Sequence, residues 1–128
     1  MEQLQIKYDE WFFQSDYDLE TAHHMLISKR NIYCIFMCHL SLEKALKGLY
    51  IKKLNKIPPK IHSLNYFVNK INLVLPDDKQ FFLEKLDSLS IVTRYPEDLS
   101  ELLLLFTQQQ TNDIFEQVKI IHQWIKQQ

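Results

Sequence analysis

The 128-residue sequence predicts an all-α protein, an up-down bundle of four to five helices forming a single domain over residues 1–128. Three observations support this prediction. One glycine and four prolines are too few turn residues for a β-rich domain. The composition, 46% hydrophobic and 24% charged, is typical of a folded globular protein. Apolar residues recur at three- and four-residue steps, which is the spacing of amphipathic helices.

The first predicted helix runs from about Leu4 to Lys29. Ser15 falls within its apolar stripe, and Ser15-x-x-Asp18 would serve as a capping box, so we expect a kink or a restart of the helix there. Lys29 and Arg30 suit a last turn, where cations meet the negative end of the helix dipole, and Asn31 suits a left-handed exit. The very short connection that follows predicts an antiparallel helical hairpin.

The second predicted helix, Ile32–Lys56, is the centre of the fold. Residues 32–38 are apolar on all sides, which indicates a helix enclosed by its neighbours. After residue 38 the apolar residues are confined to one narrow stripe along the helix, which we call the seam. A second line of mainly polar residues, which we call the row, runs beside it next to other apolar side chains. The seam contains Ile35, Cys38, Leu42, Ala45 and Leu49, and the row contains His39, Glu43, Lys47 and Tyr50.

Cys34 and Cys38 lie on one helical face, where they cannot easily form a disulfide bond with each other. We interpret them as core residues, because free cysteine packs as a small hydrophobe and a zinc site needs four ligands. No metal site and no cofactor are predicted. Gly48 is the sole glycine, which excludes a phosphate-binding loop or a dinucleotide fingerprint.

The later helices follow local signals. Pro58-Pro59 ends the central helix, and Ser63 is the predicted N-cap of a third helix, Leu64–Leu75. A fourth helix begins at Pro76-Asp77-Asp78, with two acids at the positive end of its dipole, and ends before Pro96.

The last third of the sequence is less regular. Leu99–Phe106 is strongly apolar and is predicted either as one or two helical turns or as an extended packing segment. Thr111 or Asn112 would cap the final helix, Asp113–Lys126, whose inner side includes His122.

Fifteen Lys and Arg residues against sixteen Asp and Glu give a net charge of −1. This balance lacks the basic footprint of a dedicated nucleic-acid binder and leaves open a local basic patch. The N-terminus has no signal-peptide pattern, and no apolar run reaches the length of a membrane span, so we expect a cytoplasmic protein.

Two features are candidates for binding. Glu43 and Lys47 form either an exposed pair four residues apart, worth a few tenths of a kcal/mol, or part of a groove in which Lys44 and Lys47 meet phosphate. The spacing alone favours the exposed pair. Arg94 is the stronger hint, because a guanidinium beside an aromatic residue and a proline suits phosphate or carboxylate recognition. The alternative is an arginine that caps a helix end.

Four segments, in this order, resemble the HEPN domain family. They are Asp18-Leu19-Glu20-x-Ala22, Glu43-Lys44-Ala45-Leu46-Lys47, His62-Ser63-Leu64 and Arg94-Tyr95-Pro96. The resemblance covers nearly the whole chain, from about residue 8 to residue 125. It implies a compact bundle of four or five helices that commonly forms homodimers and handles nucleotides or RNA. In prokaryotes such proteins often stand beside a minimal nucleotidyltransferase in a toxin–antitoxin pair.

The chain departs from the pattern of active HEPN ribonucleases, in which a histidine follows an arginine by four to six residues. Arg94 has no histidine after it until His122, and Arg30 precedes His39 by nine residues. The resemblance therefore implies a homodimeric module that binds a nucleotide or a nucleotidyltransferase partner without the usual ribonuclease motif. The residues expected to line its ligand groove are Lys44, Lys47, His62, Arg94 and Tyr95.

Two alternatives remain open at this point. The first is a divergent, metal-independent HEPN ribonuclease, in which folding or a second subunit brings His39 or His62 to the arginine. The second is a structural dimerisation module without a ligand, in which Ile32–Cys38 and Leu99–Phe106 form the subunit interface.

Overall fold

The computed structural model describes the backbone of residues 2–128 and the side chains of residues 7–128. Its regular structure within these residues is entirely helical, which confirms the predicted all-α bundle. The six helices are α1 (Glu2–Ile27), α2 (Asn31–Leu54), α3 (Leu64–Lys70), α4 (Asp77–Arg94), α5 (Leu99–Leu105) and α6 (Gln108–Lys126). This is one more helix than the upper end of the prediction, because the apolar segment after Pro96 forms α5. Helix α2 is central and packs against each of the other five. None of the described helices has the length and apolar character needed to span a membrane.

Helices α1 and α2 form the predicted antiparallel hairpin, but α1 is continuous through Ser15, so a restart of the helix there, one of the two predicted possibilities, is wrong. Ser15 is fully buried against Ser41 of α2. The Ser15 hydroxyl donates to the Ser41 carbonyl oxygen at 2.6 Å, and the Ser41 hydroxyl donates to the Ser15 carbonyl oxygen at 2.8 Å. The reciprocal bonds satisfy both hydroxyl groups, so a polar residue in the apolar stripe does not interrupt the helix.

The hairpin packs closely where Gly48 faces α1. A Cβ atom at this position would lie 3.2 Å from Phe12 Cε1 and 3.3 Å from Trp11 Cβ. The left-handed residue of the hairpin turn is Lys29, with φ of 62°, and not Asn31 as predicted. Asn31 is instead the first residue of α2, and its side-chain amide donates to the Phe106 carbonyl oxygen at 3.2 Å.

Two helices end earlier than predicted because an asparagine takes a left-handed conformation. Asn55, with φ of 54°, ends α2 two residues before the predicted end, and Asn72, with φ of 51°, follows the shortened α3. The prediction of Ser63 as the N-cap of α3 is confirmed, since its hydroxyl accepts from the Tyr66 backbone N–H. Helix α4 ends before Pro96, as predicted.

The start of α6 was predicted wrongly. The helix begins at Gln108, because Thr107 is its N-cap and forms a reciprocal capping box with Gln110. Thr111, one of the two predicted caps, is fully buried inside the helix. Asp98 caps α5 by accepting from the Glu101 backbone N–H.

The predicted seam of α2 forms the core, and all five of its residues are fully buried. Cys34 and Cys38 are buried free thiols, as expected for core residues. The hydrogen bond with Cys34, together with burial, raises the pKa of Cys38, so this thiol stays protonated. Four of residues 32–38 are buried inside the subunit, so only the exposed Tyr33 and the half-buried Phe36 and Met37 are available to a subunit interface.

Candidate functional site

A buried polar network joins α2, α3 and α4, and Asp87 of α4 is its anchor. One carboxylate oxygen of Asp87 lies 2.9 Å from Nε2 of His39. The same carboxylate accepts the backbone N–H groups of Leu64 at 2.8 Å and Asn65 at 3.1 Å, and the Ser63 hydroxyl at 3.1 Å. The Asp87 carboxylate thus accepts hydrogen bonds from backbone N–H groups at the start of α3 that have no partner within the helix. These bonds fix α3 to α4.

The surroundings of Asp87 favour its charged form. Burial raises the pKa of Asp87, but the hydrogen bonds from His39 and from the backbone of Leu64 and Asn65 outweigh it, and the net pKa is lowered. The His39 ring is 1% exposed. Its Nδ1 atom lies 3.9 Å from Oε1 of Glu43 and makes no hydrogen bond within the described residues. The imidazole therefore lies between two carboxylates.

Glu43 is the second centre of the network. One of its oxygens lies 3.1 Å from the Lys47 ammonium group, and both oxygens lie 3.2 Å from Nδ1 of His62. The sequence spacing favoured an exposed Glu43–Lys47 pair, and this is wrong: the pair forms, but the two side chains are only 4% and 8% exposed. The Lys47 ammonium group lies over the rings of Trp11 from α1 and Phe67 from α3, which cover the pair.

Lys44 is directed toward α1, away from this network. Its ammonium nitrogen lies 2.8 Å from Oδ2 of Asp18, and the two side chains are 19% and 8% exposed. The contact is an ion pair, since Oδ2 accepts no hydrogen bond of good direction. Of the four segments that carry the family resemblance, the Lys44–Asp18 contact joins the first to the second. The Glu43–His62 contact joins the second to the third.

Arg94, at the end of α4, has different surroundings. Its guanidinium lies 5.1 Å from the centre of the Phe36 ring on α2. It is half-buried, and no carboxylate lies within ion-pair distance of it in the part of the chain that the structure describes. The adjacent Tyr95 is 82% exposed. Phe36 and Glu43 are two turns apart on one face of α2, roughly 10 Å at 1.5 Å per residue.

Of the five predicted ligand residues, three therefore lie along one side of α2: Arg94, His62 and Lys47. Tyr95 follows Arg94 in the chain and is largely exposed, and Lys44 contacts Asp18 of α1. Sequence reasoning missed Asp87, because a lone aspartate on an amphipathic helix is typical of a solvated position. Nothing in its spacing connects it with His39, which is 48 residues earlier.

The groups of this site can exchange protons and bind anions. His62 is 61% exposed, and a buried carboxylate holds its Nδ1 atom, so its Nε2 atom is the one left for an external group. Arg94 carries an unneutralised positive charge. Among the described residues, no group of three or more His, Cys, Asp or Glu side chains is arranged to hold a metal ion.

A cleft of about 400 Å³ lies elsewhere, between α1 and α6, and contains none of the predicted ligand residues. His122 lies at its inner side, with Nε2 3.0 Å from Oδ1 of Asp16. Burial lowers the pKa of His122, and the nearby Asp16 carboxylate only partly offsets this. The His23 ring stacks on Phe115 at a centroid distance of 5.5 Å.

Comparison with known proteins agrees with the geometry. Residues 8–128 match the family model of the HEPN domain. The fold is similar to TT1696 from Thermus thermophilus, with a TM-score of 0.81 and 20% identity, over 94% of this chain and 97% of that one. It is also similar to ST0689, an archaeal HEPN homologue, with a TM-score of 0.73 and 22% identity over 93% and 94% of the two chains. No curated protein matches the chain significantly. Since the family model covers nearly all of the sequence and each of the four resembling segments, the chain belongs to the HEPN domain family.

Proposed function

We propose that this HEPN protein is a nucleotide-binding module that works as a homodimer with a minimal nucleotidyltransferase partner, in a pair of the toxin–antitoxin type. The observation that carries the proposal is the state of Arg94. Its guanidinium is held against the Phe36 ring and has no carboxylate partner among the described residues. A stacked guanidinium keeps its charge and its N–H donors, so it is suited to the oxygens of a phosphate group.

The other predicted ligand residues have different roles in this proposal. Tyr95, next to Arg94 and largely exposed, offers a ring face to a base or a hydroxyl group to a sugar. His62 offers an exposed imidazole farther along the same side of α2. Lys44 and Lys47 are already engaged by Asp18 and Glu43, so we assign them to positioning the helices around the site.

The apolar surface at the end of α4 and along α5 supports a homodimer. Six of its apolar residues are each at least 44% exposed, and exposed apolar side chains grouped in this way are typical of interaction sites. They are Ile91, Val92, Leu99, Leu103, Leu104 and Leu105. Arg94 and Tyr95 lie in the middle of this stretch of chain, so the proposed ligand site adjoins the proposed subunit contact.

Replacing Arg94 with alanine is expected to weaken nucleotide binding about 10- to 100-fold, because hydrogen bonds to charged groups contribute about 1.5–3 kcal/mol. A thermal-shift screen first identifies the nucleotide that stabilises the wild-type protein by mass action. Isothermal titration calorimetry with that nucleotide then measures the dissociation constants of the wild type and the Arg94→Ala variant.

The matched control is Arg30→Ala, since Arg30 is the only other arginine in the sequence and is exposed. Equal affinities of the two variants would remove Arg94 from the site. A dimer in light scattering that no nucleotide stabilises would favour a purely structural dimerisation module. Co-purification with a co-expressed minimal nucleotidyltransferase tests the partner directly.

A metal-independent ribonuclease is the second candidate, and the His62–Glu43 contact is the observation that favours it. A carboxylate on Nδ1 orients the imidazole and leaves Nε2 free to face a substrate, which is the arrangement of a general acid or base. His39 is too deeply buried for this role. Growth arrest on expression that His62→Ala abolishes, and that His24→Ala leaves unchanged, would favour the ribonuclease over the binding module.

A further inference from the structure

Seven lysines and no acidic residue lie between Glu43 and Asp77. The rest of the chain carries the other eight basic residues and all sixteen acidic ones, so the overall charge of −1 conceals a strong separation of charge. The lysines are Lys44, Lys47, Lys52, Lys53, Lys56, Lys60 and Lys70. Of these seven, only Lys44 and Lys47 are part of the candidate site described above.

The other five lysines are exposed. In the part of the chain that the structure describes, no ion pair joins their ammonium groups to a carboxylate, whereas Lys44 and Lys47 both have one. Lys52 and Lys53 lie in the last turn of α2, where a cation stabilises the helix dipole. Lys56 and Lys60 lie in the segment between α2 and α3 and have no such role, so local stability does not explain them.

The connecting segment, residues 55–63, holds its lysines in defined positions. Pro58 is buried, and Pro59 follows it, so two consecutive φ angles are restricted. The Ile61 backbone N–H donates to the Pro59 carbonyl oxygen at 2.9 Å, which closes a turn with Lys60 at its centre. His62, fixed by Glu43, follows this turn.

Aromatic rings flank the lysines on both sides. The Lys52 ammonium group lies 5.7 Å from the centre of the Tyr8 ring on α1, and the Lys70 ammonium group lies 5.6 Å from that of Tyr66 on α3. Both rings are half-buried and keep part of their surface in solvent. Surfaces that bind single-stranded nucleic acids combine cations that follow the backbone with aromatic rings on which bases stack.

We propose that this end of the bundle, formed by the end of α2, residues 55–63 and α3, is a binding surface for the backbone of single-stranded nucleic acid. The exposed lysines neutralise phosphates, and Tyr8 and Tyr66 stack against bases. Lys52 is sixteen residues from Phe36 on α2, roughly 24 Å at 1.5 Å per residue. The lysines at the end of α2 are therefore far from Arg94, whereas His62, within residues 55–63, also belongs to the proposed nucleotide site.

The test is fluorescence anisotropy of a labelled 12-nucleotide oligo(U) across a series of salt concentrations. The triple variant Lys53→Gln, Lys56→Gln and Lys60→Gln is expected to bind at least tenfold more weakly. The slope of log K against log salt should decrease by about 2, since each phosphate contact on a single strand contributes about 0.7. Tyr66→Leu should weaken binding several-fold and leave this slope unchanged, because stacking releases no counterions.

The matched control carries Lys29→Gln, Lys85→Gln and Lys119→Gln, three exposed lysines outside this surface, with the same change in net charge. Circular dichroism checks that both triple variants are folded. Equal weakening in the two triples would overturn the proposal, as would lysine-dependent binding to phosphatidylserine vesicles without binding to oligo(U). The triple variant Lys53→Gln, Lys56→Gln and Lys60→Gln should keep the wild-type affinity for the mononucleotide of the Arg94 site, because none of the three lysines belongs to that site, so a failure of the nucleotide site is distinguishable from a failure of this surface.

Discussion

Replacing Asp87 with alanine is expected to lower the free energy of unfolding by about 3–5 kcal/mol, because it leaves several buried donors without an acceptor, at about 1–3 kcal/mol each. The His39 ring would lose the partner of its Nε2 atom in a site where it is 1% exposed. The N–H groups of Leu64 and Asn65 would lose their acceptor at the start of α3. Urea unfolding followed by circular dichroism measures the change in free energy.

Glu84→Ala on the same helix is the control, because Glu84 is exposed and, among the described residues, its carboxylate accepts a hydrogen bond only from Gln80. Its expected effect is within about 0.5 kcal/mol. Since the folded-state pKa of Asp87 is lowered, the stabilisation is complete above the ordinary aspartate pKa and is lost as the pH falls below it. The difference between the wild type and Asp87→Ala should therefore shrink below about pH 4. A difference that does not change with pH would contradict this assignment of the charge.

Glu43 and Lys47 should show strong coupling in a double-mutant cycle. Lys47→Met alone leaves the Glu43 carboxylate buried without its ammonium partner, and Glu43→Met alone leaves the Lys47 ammonium group only 8% exposed among aromatic rings. Each single change is expected to cost about 3–5 kcal/mol. The double variant, with two apolar side chains of similar length, should recover most of this loss, so that the effects are far from additive.

Glu43→Met is expected to cost more than Lys47→Met, because Glu43 also holds His62 and faces His39. The control cycle uses Glu116 and Lys119 on α6, an exposed pair at 3.4 Å, where the coupling should be a few tenths of a kcal/mol. Additive effects of the two buried substitutions would mean that the ion pair does not contribute as a unit. Urea unfolding of the four proteins in each cycle gives both coupling energies.

The helices could be predicted because their signals are local. The seam of α2, the cap at Ser63 and the stop before Pro96 each depend on residues within one or two turns, and all three are confirmed. The start of α6 also had such a signal, since Thr107 and Gln110 have the spacing of a capping box. The prediction placed the cap at Thr111 or Asn112 instead, although the capping-box spacing was present in the sequence.

The continuous α1 and the buried Glu43–Lys47 pair could not be predicted in the same way. Ser15 stays in a helix only because Ser41 of another helix bonds to it. Glu43 and Lys47 have the spacing of an exposed pair, and they are buried only because Trp11 and Phe67 cover them. In each case the outcome depends on a side chain of a different helix. The spacing of residues along one helix therefore cannot predict it.

The sequence by itself determined the helical class, the central position of α2 and membership of the HEPN family, because composition, periodicity and the four segments are all read along the chain. Only the tertiary structure decided which charges are neutralised. Lys44 and Lys47 lie against carboxylates, Arg94 lies against an aromatic ring, and Asp87 meets His39 across 48 residues. The physical reason is that the charge and availability of a side chain depend on burial and on distances of a few ångströms to groups on other helices.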